Sequence, residues 1–137
     1  MAKKTERQKA VDKADKYFSL YIRARDGLRT TGDPDYVVCC TCGKTYPFKQ
    51  IQCGHFVSRK YYGLRWDESN AHAQCVGCNV FKSGNLQEYF DFMYETYGEE
   101  FTEALRSRRH ESVKYSVEEI VGIASEFRRR YEELANG

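Results

Sequence analysis

The sequence predicts an α+β fold, mainly helical, in which a small zinc-stapled core lies between N- and C-terminal helices. Three observations predict it. Two Cys-x-x-Cys pairs, Cys39/Cys42 and Cys75/Cys78, bracket residues 43–74, the paired spacing of a structural zinc site. The stretch between them is poor in aliphatic residues, and a small loop-rich segment of that kind needs a metal or disulfide staple. On either side of it, apolar residues recur at helical spacing.

Each element follows in order. Over residues 6–29, Ala14, Tyr17, Phe18, Tyr21, Ile22 and Leu28 fall on one helical stripe, with Lys and Arg on much of the other face. Thr30-Thr31-Gly32-Asp33-Pro34-Asp35 breaks that helix. Tyr36-Val37-Val38 is a short β run into the first cysteine pair, and Gly43 suits the tight turn after it. Phe48 to Gln52 alternates and reads as a strand ending at His55-Phe56-Val57; residues 58–69 carry no period and read as loop; Asn70 to Gln74 reads as the returning strand. A helix is expected beyond Asn79, with Leu86, Tyr89, Phe90, Met93, Tyr94 and Tyr97 as its apolar stripe and Gly98 as its C-cap. Phe101, Ala104 and Leu105 suggest a short helix, and Ser116-Val-Glu-Glu119 is a capping box opening a last one. The chain reads as a single domain over 1–137: N-terminal helix 1–35, zinc-bound core 36–98, C-terminal helices 99–137.

Composition narrows the setting. Met1 is followed by Ala-Lys-Lys-Thr-Glu-Arg, which is no signal peptide, and no stretch is long enough to span a membrane. A reducing, cytoplasmic setting is therefore expected, and it favours thiolate–metal chemistry over disulfides. Net charge is only +2, but residues 1–35 carry nine Lys/Arg against six Asp/Glu, and Arg59, Lys60 and Arg65 cluster in the core. That permits a phosphate-facing patch, although a solvated helix face would look the same.

Four thiolates suit a closed tetrahedral zinc site that clamps the start of the inserted segment to its end. Cys40 has the wrong spacing and is a bystander, and Cys53 reads as a small buried residue. A zinc staple alone has no use for His55, Asn70 or Asn79. A neutral histidine can take a proton from water. A lone histidine is more often structural, but beside Gly54 and between two knuckles His55 reads as the base; Asn79 could cap a helix as well as ligate, and His72 could either touch metal or hold the hairpin by hydrogen bonds.

Strand, loop, strand and helix, with His on the first strand and Asn after the second knuckle, is the order of a ββα-metal nuclease. Cys-x-x-Cys, Gly54-His55, Asn70, Cys-x-x-Cys-Asn79 and Lys82 resemble the HNH endonuclease superfamily, in the zinc-stapled form of phage endonuclease VII. Gly54-His55-Phe56, Leu64-Arg65-Trp66, Asn70-x-His72-x-Gln74-Cys75, Cys78-Asn79 and Ser83-Gly84-Asn85 resemble the phage NinG/Rap recombination proteins, over about residues 36–86. The resemblance implies a structure-specific endonuclease that cuts branched double-stranded DNA, such as Holliday junctions and D-loops, using catalytic Mg²⁺ or Mn²⁺ beside the structural Zn²⁺. It implies His55 as general base and Asn79 as a ligand of the catalytic metal, with Asn70 orienting the hairpin or the base. His72 is a further candidate ligand of that metal, and Arg59, Arg65 and Lys82 would contact DNA. Gly54 stands where most HNH sites carry Asp or His, so one oxygen ligand is missing, and Asp67, His72 or water would replace it. A homodimer is expected, because a four-way junction takes two symmetric cuts and the terminal helices carry more apolar residues than the hairpin can cover. Phage recombination proteins are further expected partners. The alternative is a non-catalytic zinc-ribbon DNA-binding or recombination-mediator protein, and a third reading is a nuclease acting on a defined sequence.

Overall fold

A computed structural model describes residues 3–137. Helix α1 (Glu6–Thr30) is capped by Thr5, whose side chain accepts from the Gln8 amide. Two hairpins follow. Strands β1 (Tyr36–Val38) and β2 (Thr45–Pro47) pair antiparallel around the first cysteine pair. Strands β3 (Ile51–His55) and β4 (Ala71–Cys75) pair antiparallel, with His55 opposite Ala71 and Ile51 opposite Cys75. Helices α3 (Leu86–Tyr97), α4 (Glu99–Ser107) and α5 (Val117–Asn136) complete the chain. Ser116 and Glu119 form the reciprocal capping box at the start of α5. The architecture is mostly helical α+β with two small sheets. None of the helices among the described residues is long and apolar enough to cross a membrane.

Several expectations need correction. The strand expected from Phe48 starts only at Ile51, because Phe48–Gln50 forms a 3-10 turn behind Pro47. The expected loop 58–69 contains a one-turn helix α2 (Tyr62–Arg65) and a 3-10 turn (Glu68–Asn70), both too short to leave a period. No α-helix starts at Asn79: residues Gly77–Phe81 make a single π-helical turn, and α3 begins only after a left-handed turn at Ser83–Asn85. The zinc knuckle dictates this, because Cys78 uses its carbonyl on Gly84 N–H and its sulfur on Asn85 Nδ2.

The core has three parts. Ala14, Phe18 and Ile22 of α1 pack on Ile120, Ala124 and Phe127 of α5, with Trp66 and Ala71 beneath. Val37, Ile51 and Ala73 surround Cys39, Cys75 and Cys78. Phe56, Val57 and Leu64 meet Tyr89 and Met93 of α3 and Leu105 of α4. The apolar stripes of α1 and α5 thus largely cover one another.

Strand β4 has no further strand beside it, and α1 seals its outer edge instead. Asp26 Oδ2 accepts from Ala73 N at 2.7 Å, Arg25 donates to the carbonyls of Ala71 and Glu68 at 2.8 Å, and Arg25 Nε holds Asp26 at 2.8 Å. Both residues are buried. Removing one partner of a buried pair leaves an uncompensated charge. Asp26→Ala should therefore cost about 3–5 kcal/mol in denaturant-induced unfolding, because it strands the Arg25 guanidinium and the Ala73 amide together.

Candidate functional site

The four sulfurs of Cys39, Cys42, Cys75 and Cys78 lie within 4.8 Å of one another. Cys42 Sγ and Cys75 Sγ are 3.8 Å apart. Tetrahedral zinc at about 2.3 Å from each sulfur sets neighbouring sulfurs roughly 3.8 Å apart, so the cluster fits a structural zinc. The knuckle backbones point at the sulfurs: Cys75 N donates to Cys39 Sγ at 3.3 Å and Cys78 N to Cys75 Sγ at 3.4 Å. Burial raises the Cys39 thiol, but the hydrogen bonds from Thr41 and from backbone amides outweigh it and bring it down to about 6. Partial burial and the neighbouring sulfurs of Cys39 and Cys75 push Cys42 the other way, to about 11. Negative charge on one sulfur opposes charge on the next, and a dication in the middle removes that conflict. Cys40 stays outside the cluster. Cys53 is pushed up to about 12 by burial, which leaves it an inert thiol.

A cleft of about 620 Å³ runs between α1 and the free edge of β3, and it is lined by Asp15, Ser19, Arg23, Gln52, His55, Arg59, Asn79 and Ser83 among others. Ala73 spends its amide on Asp26 and its carbonyl on Cys40 N. Cys53 opposite it is therefore a non-hydrogen-bonded ladder position, with its peptide groups facing the cleft.

His55 ends β3 on the cleft wall, with the Phe18 ring at 5.8 Å. Its Nε2 lies 2.8 Å from the Arg65 carbonyl. A carbonyl only accepts, so Nε2 carries the proton and Nδ1 keeps its lone pair. Among the described residues Nδ1 has no hydrogen-bond partner. Burial lowers the His55 pKa below the ordinary histidine value; the Arg65 carbonyl opposes this and the Arg59 charge adds to it. The ring is therefore neutral at physiological pH. Asn79 Nδ2 donates to Gln52 Oε1 at 2.8 Å, which leaves Asn79 Oδ1 as the open acceptor on the same cleft.

Asn70 lies outside the cleft and is fully buried. Its Oδ1 accepts from Val57 N at 2.8 Å, and its Nδ2 donates to Val57 O and Leu64 O at 2.9 and 3.0 Å. It ties the two sides of the loop that follows His55. His72 also lies away from the cleft, which removes it as a catalytic-metal ligand. Tyr89 donates to Gly54 O at 2.6 Å, so its oxygen accepts from His72 Nδ1, and Tyr97 then donates to His72 Nε2 at 2.8 Å. That chain works only with neutral imidazole, and burial, with Arg25 and Arg29 nearby, holds His72 down at about 3.

Arg65 is not free for DNA. Its guanidinium grips Asp15 through two bonds of 2.9 and 2.6 Å, and its side chain is largely buried. Asp67, the proposed substitute oxygen ligand, instead accepts from Arg108 at 2.6 Å and from Ser69 N. Arg59 stays exposed on the cleft rim and Lys82 is exposed next to Ser83. Gly54 has a steric cause: a Cβ there would overlap the Gln74 amide, whose Nε2 is fixed to Thr41 and Gly84. Sequence reasoning missed Asp15, Ser19 and Arg23. Their spacing along α1 puts them on one helical face, but nothing in that spacing separates a cleft wall from a solvated face.

A family model described as Bacteriophage Lambda NinG protein matches residues 1–136. The Protein ninG of Escherichia phage 933W is 31% identical over 127 residues, covering 92% of this chain and 58% of that protein. The Protein ninG of Escherichia phage lambda is 30% identical over 127 residues, with 92% and 57% covered, and that of Salmonella phage P22 is 30% identical over 125 residues, with 90% and 57% covered. The chain thus spans somewhat more than half the length of these curated relatives. No solved structure matches it.

Two outcomes follow from this geometry. Purified protein should carry one zinc per chain, and Cys75→Ser or chelation should unfold the central hairpins, seen as lost zinc by elemental analysis and lost near-UV dichroism, because zinc binding in such cores is folding free energy. The second concerns acid. Below the ordinary histidine pKa the unfolded chain binds a proton at His72 that the folded chain refuses, so stability falls as pH drops from 6.5 toward 3. His72→Gln should remove about 2–3 kcal/mol of that loss between pH 6.5 and 4.5, measured as the difference between the two unfolding curves.

Proposed function

We propose that this chain, which belongs to the NinG family, is a metal-dependent endonuclease of HNH type that hydrolyses phosphodiester bonds in branched DNA such as Holliday junctions and D-loops. The observation that carries the reading is the pairing on one cleft of a neutral histidine, its Nδ1 unoccupied, with the free amide oxygen of Asn79. A zinc module that only binds has no need of either. The hairpin β3–β4 with His55 at its end, followed by the second knuckle and Asn79, has the order of a ββα-metal site.

His55 Nδ1 is the atom that takes the proton from the attacking water. The Arg65 carbonyl holds the ring through Nε2–H and stabilises the positive charge as the ring becomes protonated. Asp15 acts one step behind, because it fixes the guanidinium of the residue that supplies this carbonyl and also accepts from Trp66 Nε1 at 3.0 Å. Asn70 holds the loop between them, as the resemblance implies for an orienting residue. Arg59 brings positive charge to the rim, where phosphate would lie, and Lys82 adds to it.

A divalent cation fits at Asn79 Oδ1 in one sense: Mg²⁺ keeps several waters and needs few protein oxygens when substrate phosphate supplies others. Gly54 offers none, Asp67 and His72 face elsewhere, and Asp15 is already paired, so Asn79 beside His55 is the side chain, among the described residues, that would hold it. Such an ion would neutralise phosphoryl charge and assist the leaving oxygen.

The test uses labelled four-way junction, flap and linear duplex with Mg²⁺ or EDTA. Wild type should cut the branched substrates only with Mg²⁺. His55→Ala should lose ~10²–10⁴-fold in cleavage rate while zinc content and junction binding stay unchanged. The acid limb of the wild-type rate should fall below the ordinary histidine pKa, since burial depresses His55. Wild-type cleavage by His55→Ala would sink the nuclease reading in favour of a zinc-ribbon binding module.

A further inference from the structure

Phe81 is 82% exposed, the most exposed large apolar side chain among the described residues. Scattered surface apolar residues need no explanation, but this one has company and a rigid mount. Val76, Val80 and Leu86 of the same knuckle-to-helix segment are exposed too. The mount is built from several directions. Lys82 N donates to Gly77 O at 3.0 Å to close the π-helical turn, Gly84 N donates to Cys78 O at 2.9 Å, and Gln74 Nε2 holds Gly84 O at 2.7 Å. Ser83, Gly84 and Asn85 take successive φ values of +50°, +93° and +47°. Left-handed backbone at the two non-glycine positions that flank Gly84 persists only where the surroundings over-determine it.

This turn also belongs to the cleft. Asn79 lies two residues before Phe81, and Ser83 and Gly84, which follow it, line the cleft wall. Lys82, beside it, is exposed and cationic. An exposed apolar ring borne on the turn between two cleft-lining residues, with a cation next to it, suits a ligand that offers a flat apolar face joined to phosphate.

The geometry points to Phe81 as a stacking wedge for an unstacked nucleobase at a DNA branch point, which gives the cleft its preference for branched over linear DNA. This rests on the nuclease reading of the neighbouring cleft. At a branch point the strands change helix, so a base step opens there without bending a continuous helix, whereas a linear duplex must be kinked to open one. The hydrogen-bonded turn fixes the backbone that carries the ring, so only side-chain rotamer freedom is lost on contact.

The experiment measures binding, not cutting. In a His55→Ala background, with Mg²⁺, affinities are compared for a four-way junction carrying 2-aminopurine at the branch point and for a linear duplex of the same length. Base–aromatic stacking predicts that Phe81→Ala loses on the order of 10- to 100-fold in junction affinity and little in duplex affinity, while Phe81→Trp keeps both. Phe81→Leu, which retains bulk without a ring, should lose the preference as well. The 2-aminopurine signal should change on binding only when an aromatic side chain is present. Zinc content and thermal unfolding of each variant should match the parent, since the side chain is exposed. Equal losses on both DNAs, an unchanged preference, or a Phe81→Ala protein whose sedimentation differs from that of its parent would each overturn the wedge. Failure of the nuclease reading would appear separately, as wild-type cleavage by His55→Ala.

Discussion

Between Cys42 and Cys75 the chain travels through strand β2, the β3–β4 hairpin and the short helix α2 in its connection, and returns to within 3.8 Å, sulfur to sulfur, of where it left. Very little else could hold that excursion closed. The apolar residues around the sulfurs are Val37, Ile51 and Ala73, with Tyr46 and Phe48 at the margin, too few to form a core unaided. The four-thiol cluster therefore sets the register of everything attached to it. It fixes β4 through Cys75, the π-helical turn through Cys78 and the position of Asn79 one residue later. The same clamp forces Ser83–Asn85 into left-handed backbone before α3 can begin.

Polar bonds, more than apolar packing, seat the hairpin against α1. Asp26 and Arg25 plug the outer edge of β4, and Asp15 grips Arg65 on the far side of the cleft. These contacts have geometry as well as strength, since a bidentate guanidinium–carboxylate pair fixes distance and orientation together. The result is a histidine whose two ring nitrogens are distinguished by the fold itself. Asn70 and the Tyr97–His72–Tyr89 chain perform the same service on the other face, one pinning the loop after His55 and the other ending on the carbonyl of Gly54, just before it. Each is a fully partnered buried polar group, the condition under which such groups sharpen a structure instead of weakening it.

The parts of this arrangement that sequence could reveal are those whose signal is local. Cys-x-x-Cys spacing, the Ser116–Glu119 capping box and the apolar stripes of α1, α3 and α5 each sit within a few residues of their own consequence. Helix α2 was invisible because four residues cannot carry a period. Arg65 reads as a phosphate contact in sequence, since its partner Asp15 is fifty residues away and looks like any acid on a solvated helix. His72 and His55 are equally plausible ligands on paper; only strand alternation and the position of α3 send one into the core and leave the other at the cleft. Gly54 reads as a missing ligand, whereas Gln74, twenty residues on, leaves no room for a side chain there. Phe81 carries no period at all, and its exposure follows from the π-helical turn that the metal knuckle imposes.

The pairing of α1 with α5 has a kinetic side. Arg7 reaches the Tyr115 carbonyl, a separation of 108 residues, and Phe18 meets Phe127 edge-on at 4.9 Å. Contacts this distant in sequence pay their loop-closure entropy before they return anything, and they slow folding accordingly. The helix that bears one wall of the cleft is thus held by a segment near the opposite end of the described residues. The cysteine hairpins can close from nearer contacts, and α1 is tied to them through Asp15, Arg23, Arg25 and Asp26, whereas the apolar face of α1 is covered only when α5 docks. A species with α5 undocked would keep those polar ties but expose Phe18, whose ring lies beside both His55 and Phe127, so a segment near the end of the described residues shields the histidine from behind.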